Sequence, residues 1–184
     1  MKKHIVFSLV GGLILWLWQF ISFAAANLHG SAAEFTPKSQ EIIAAIEASG
    51  IEEGRYLLGQ IDPALIAAGE ATGFETAGKP WAILHWDRSM ESNMGMNMFR
   101  GVMVCVLVAA LLFSLIQGFS DPTVKKGAGV GLLVGFMAFL AIPYTNYIWY
   151  ESPDIWAYAL DAVIPWVGMG SLAGRMAQSQ IANA

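Results

Sequence analysis

Four apolar stretches, at 5–26, 98–119, 127–149 and 155–174, dominate this chain. Each has the ~20 residues that carry a helix across roughly 30 Å of hydrocarbon. Backbone in lipid must satisfy its own hydrogen bonds, so such a run is either a helix or a strand of a closed barrel. Long apolar runs without alternation read as helices. Charged residues make up 13% of the sequence, against about 25% in an ordinary soluble domain. The expected fold is an all-α membrane protein: a four-helix transmembrane bundle with a small α+β extracytoplasmic domain, residues 27–97, inserted between helices 1 and 2.

Charge placement gives the expected direction. Lys2 and Lys3 precede the first span, Lys125 and Lys126 lie between the second and third, and Arg175 follows the fourth. The 150–154 link has two acids and no base. Alternating crossings put all the basic clusters on one side, which the positive-inside rule assigns to the cytoplasm. Both termini are therefore expected in the cytoplasm, with 27–97 periplasmic, in a bacterial inner membrane. That segment holds ten acids against four bases, a net −6 within a chain of net −4. No basic footprint for nucleic acid is left. The competing reading is a cleaved secretory signal ending at Ala24-Ala25-Ala26. Against it, the apolar stretch exceeds the ~7–15 residues of a signal core and carries Trp16, Trp18 and Gln19 late, as an anchor does.

Within 27–97, Thr36 as N-cap and Pro37 at the first helical position predict a helix over 37–49, stopped by Gly50. Arg55–Leu58 and Trp81–Trp86 read as short strands between turn residues. Asp62-Pro63 opens a turn or short helix through Ala68. A unit of about 70 residues has little core of its own.

Gly127, Gly131 and Gly135 recur every four residues, as do Gly170 and Gly174. Small residues at this spacing let membrane helices approach closely, so these positions are expected to be helix packing. At the opposite end of the bundle, Gln19, Arg100, Asn146 and Asp161 enter from four different spans. Intramembrane charges normally face the bundle and find partners, which makes Arg100–Asp161 the expected pair. Trp166 and the carbonyl freed opposite Pro165 lie beside it. The layer reads as a structural ion pair under an aromatic belt, or as a pocket for an amphipathic ligand.

Met94, Met96 and Met98 could supply thioether ligands to Cu(I), although methionine at a span entrance is usually apolar filler. His85 alternates with Trp81 and Ile83 and reads as a packed or surface histidine. The lone Cys105 excludes an internal disulfide. No Ser/His/Asp frame and no phosphate-cradling glycine loop is present, so no catalytic residues and no cofactor are assigned.

The Trp16–His29 end of the first span, Ile142-Pro143 running to Asn146 and Trp149, and Asp161 followed by Trp166 together resemble a family of uncharacterised four-span bacterial inner-membrane proteins. The resemblance implies bacterial origin and this topology, and it brings no activity or ligand. The expected function is a non-enzymatic accessory or interaction component of a membrane complex, its partners the lipid bilayer and other membrane subunits or further copies of itself. The alternative is binding or transport of a lipid or quinone at the polar layer.

Overall fold

The computed structural model describes residues 2–72, 77–90 and 93–181. The expected insertion also contains 73–76 and 91–92, which lie outside the described residues. Four helices are long and apolar enough to cross a membrane: Lys2–Ala25, Met94–Gln117, Val124–Trp149 and Ile155–Ser179. The second begins four residues before hydropathy alone places it, because Asn97 N–H already bonds Asn93 O at 3.0 Å and winds Gly95 and Asn97 into the first turn. The chain divides into two compact units: the four helices with the turn after the first, and the insertion Phe35–Ser92.

The bundle is two tight pairs joined through the fourth helix. The first and second spans pack through Phe7, Leu15, Cys105, Ala109, Leu112 and Phe113, with Met169 and Ala173 of the fourth closing this core. Phe7 stacks on Phe113 at 4.7 Å. Gly12 permits the approach, since a Cβ there would lie 2.7 Å from Val106 Cα.

The third and fourth spans meet backbone to backbone. A Cβ on Gly127 would run into the carbonyl oxygen of Gly170, one on Gly131 into that of Trp166, and one on Gly135 into that of Ala162. In return, Gly170 faces the Gly127 carbonyl and Gly174 that of Thr123. Lipid supplies no hydrophobic drive between helices, so close backbone approach is what holds such pairs. Thr123 caps the third span by accepting from Lys126 N–H at 3.2 Å.

Two spans widen near the other end. The first finishes in a π-helical turn, Ile21–Ala25, and the third passes through another, Leu140–Tyr144, which holds Pro143. The Thr145 hydroxyl donates to Leu140 O at 2.8 Å, satisfying a carbonyl that the widened turn leaves over.

In the insertion, a helix spans Ser39–Ser49 and ends at Gly50, whose φ of 70° suits glycine. It starts two residues later than expected because the Thr36 hydroxyl accepts from Lys38 N–H (3.3 Å), making a turn ahead of the helix. Strands Gly54–Leu58 and Ala82–Trp86 pair antiparallel, Gly54 opposite Trp86 and Leu58 opposite Ala82. Asp62 caps the short helix Pro63–Ala67 through Ala64 N–H at 2.8 Å. Trp86 is this unit's one buried large side chain among the described residues.

Candidate functional site

At the end of the bundle opposite the glycines, His29 lies 8% exposed between two carboxylates. Its Nδ1 is 2.8 Å from Asp154 Oδ2, and its Nε2 is 3.0 Å from Asp161 Oδ2. Local sequence sets this up from both sides. After the π turn, Ala26 N–H bonds Ile21 O and Leu28 N–H bonds Ser22 O. Asn27 takes the left-handed conformation at φ 47°, which asparagine tolerates better than most residues. This termination is one residue wider than the usual left-handed cap, as the π turn requires. It folds the chain back so that His29 points into the bundle.

On the fourth span, Asp154 directly precedes the first helical residue and Asp161 follows seven positions later. Seven residues are nearly two turns, so both acids share a face about 10 Å apart along the axis. The imidazole and its two hydrogen bonds lie along that gap. Phe23 stacks flat on the ring, centroids 3.9 Å apart and planes 5° apart, and Tyr158 meets it edge-on at 4.5 Å. The acids are tied from behind: Ser152 donates its hydroxyl to Asp154 Oδ1, and Trp18 Nε1–H donates to Asp161 Oδ1 at 2.8 Å.

An ionised carboxylate can only accept, and each ring nitrogen faces one carboxyl. The two contacts therefore require two protons shared among three groups. Either a doubly protonated ring sits between two carboxylates, or a singly protonated ring accompanies one carboxylic acid. Both arrangements leave one net negative charge. Burial of Asp154 favours its neutral form, but the hydrogen bonds from Ser152 and His29 prevail and hold its carboxyl below the usual range.

Beside this cluster a cavity of about 370 Å³ is lined from all four spans. Its polar edge is Gln19 and Asp161; its apolar walls include Val108, Phe139, Pro143 and Trp166. It opens where the third span leaves the glycine seam: past Gly135 the facing residues are Ala138 and Phe139, then Ile142 and Pro143 of the π turn. A second cavity of about 270 Å³ reaches Asn146 and Ser152 and shares Ile142, Pro143 and Tyr158 with the first.

The expected polar layer is thus redistributed. Gln19, Asp161 and Trp166 meet at the larger cavity, where Gln19 Oε1 also accepts from Cys105 Sγ at 3.6 Å. Asn146 belongs to the smaller one. Arg100 does not pair with Asp161. It is exposed and has no ion pair or hydrogen bond among the described residues; residues 93–100 of its helix are exposed on every face, and Asp161 is held by Trp18 and His29 instead. The copper set also fails to converge. Met94, Met96 and Met98 lie on one helix, where residues two apart point about 200° apart, so Met96 faces away from the other two.

Sequence reasoning missed His29 and Asp154 as site residues and read Trp18 only as a late residue of an anchor helix. The seven-residue spacing of the two acids was the signal that could have found Asp154.

The arrangement is not a nucleophilic triad: Ser152 gives its proton to Asp154 and not to the imidazole. The carboxylates take opposite ring nitrogens, so the three groups do not converge as metal ligands, and among the described residues no trio of such groups could hold a metal ion. A larger hollow of about 670 Å³ lies in the insertion between Ile43, Ile46 and Leu84–Asp87. Its titratable pair, His85 and Asp87, is 3.6 Å apart and mostly exposed, so no desolvated polar group marks it. Comparison with protein-family models, curated proteins and solved structures finds no match to this chain.

Proposed function

We propose that this chain is a membrane-embedded binding protein for an amphipathic small molecule, a quinone or a lipid. Its polar group would meet Asp161 and Gln19, and its apolar body would lie against Val108, Phe139 and Trp166. The supporting observation is the four-span cavity with one oriented acid at its edge. Ligand sites typically occupy about 300–1,000 Å³, mostly apolar with a few fixed polar groups, and this cavity has that size and character. An accessory subunit held together by packing alone would favour a filled interior, so the ligand reading takes precedence over it.

The lysine distribution supports a bacterial inner-membrane setting with both termini in the cytoplasm. The outward row Leu107, Leu111 and Leu115 is exposed and suits direct contact with lipid.

Organic extraction of the purified full-length protein, followed by mass spectrometry, tests the reading. Wild type should release one amphipathic species at roughly one per chain, and Ala138→Trp, which fills the cavity, should release far less. Equal amounts from both proteins, or only bulk lipid in bilayer proportions, would overturn it.

A further inference from the structure

We propose that Asp154, His29 and Asp161 form a proton relay into the cavity, and that its ligand exchanges a proton when it binds or reacts, as a quinol or another weakly acidic hydroxyl compound does. The use of the relay rests on the ligand reading above, but its existence can be measured without a ligand.

Four observations carry it. The three groups are in continuous hydrogen-bond contact at 2.8 and 3.0 Å, with both ring nitrogens engaged. The two ends of the row face different spaces. Asp161 lines the larger cavity, while Asp154 is bonded to Ser152, which lines the smaller one beside Asn146 and Tyr147. Histidine can accept at one nitrogen while releasing from the other. Finally, a mere brace for the turn at His29 needs one carboxylate, and Asp154 at the mouth of the fourth span supplies it. The second, Asp161, lies within that span, where an ionisable group costs at least a few kcal/mol and marks a functional site.

The other titratable groups near the ring are Tyr158 on the fourth span, edge-on to it, and Cys105 on the second span, across the cavity. Neither interrupts the row.

The transfer balances without any co-reactant. Asp154 is ionised at rest and takes a proton through Ser152 only in passing. In that state the ring proton is on Nε2 and Asp161 is ionised: the Nε2 proton moves to Asp161 as Nδ1 takes the proton from Asp154, and Asp161 passes its own to a basic ligand oxygen. One proton enters at Ser152 for each one delivered, and the ring stays neutral with its proton left on Nδ1. For an acidic ligand hydroxyl, every step runs in reverse.

The test is a light-triggered pH jump on the full-length protein in detergent, following Asp161 by the infrared carboxyl band that Asp161→Asn removes. Asp154→Asn and His29→Gln keep size and partial hydrogen bonding, and circular dichroism checks that they fold. Each should slow protonation of Asp161 by about a hundredfold, the low end of what a positioned proton-transfer group contributes. Asp154→Asn, which lies outside the cavity lining, should bind decylubiquinone, titrated by tryptophan fluorescence, within about threefold of wild type. Wild-type protonation rates in a folded Asp154→Asn protein would overturn the relay. Slowed protonation together with no decylubiquinone binding by wild type would support the relay and count against a quinone as its ligand. If His29→Gln does not fold, Asp154→Asn alone decides the matter.

Discussion

The two ends of this bundle solve the same problem in opposite ways. At one end, the third and fourth spans touch through glycine and carbonyl, with no side chain between them. At the other, the same helices separate around a π turn, and polar and aromatic side chains occupy or border the gap. Close backbone contact leaves no room for chemistry but fixes the helices firmly. That fixed end lets the far end keep a cavity and a buried polar cluster, each of which costs stability. The difference teaches that the polar end need not hold the bundle together, and so its residues are free to be chosen for another purpose.

The largest way to break this comparison is to remove the ring from the polar cluster. His29→Phe leaves Asp154 and Asp161 without the partner they share, and losing one member of a buried charged group costs about 3–5 kcal/mol. Chemical unfolding in detergent should show a loss of that size. The triple change His29→Phe, Asp154→Leu, Asp161→Leu should recover most of it, because an apolar replacement of the whole set is close to neutral.

Next in size is the glycine seam. Gly131→Ala drives a methyl into the Trp166 carbonyl, and overpacking of this kind costs about 1–3 kcal/mol. A methyl added at Gly129 would meet nothing within 4 Å, so Gly129→Ala should be neutral or stabilise by up to about 1 kcal/mol through helix propensity. Thermal melting of the two variants side by side measures the contrast. Equal melting temperatures would mean that the seam does not carry the contact.

A smaller effect is expected from pH. The native carboxyl of Asp154 titrates below its ordinary value, so its contribution is fully present above about pH 3.9, the unfolded value. It is lost as pH falls through the lower native one. Melting temperature should therefore drop on acidification through that window, and Asp154→Asn should flatten the slope.

The smallest effect belongs to Arg100. As an exposed residue outside the cluster, its change to Leu should move stability by no more than about 0.5 kcal/mol, in any background at position 161. Non-additivity with Asp161→Leu would reinstate an Arg100–Asp161 pair.

What was legible in the sequence follows the reach of each signal. Twenty-residue apolar runs and glycines four apart are local patterns, and they mark the four helices and the seam between the last two. Asp161 stood out because an acid in a span is conspicuous. Its partner was misjudged because Arg100 matched it in depth and charge, while neither says whether that end of a helix packs against the others, and residues 93–100 are exposed on every face. His29 escaped because it lies beyond the first span, in a segment grouped with the insertion. Only the π turn and the left-handed Asn27 bring it back, and a π turn has no strong sequence signature. The methionines misled for a related reason: alternate spacing converges on a strand, and here the segment is helical.

The most direct measurement of the polar end is nitrogen NMR of the full-length protein with ¹⁵N-labelled histidine rings, of which the chain has three. The bridged ring predicts one histidine with both nitrogens hydrogen-bonded, absent in His29→Gln. Asp154→Asn should shift chiefly its Nδ1 signal and Asp161→Asn chiefly its Nε2. A His29 signal that resembles a free, water-exposed imidazole and ignores both substitutions would contradict the bridge, and with it the distinction between the two ends.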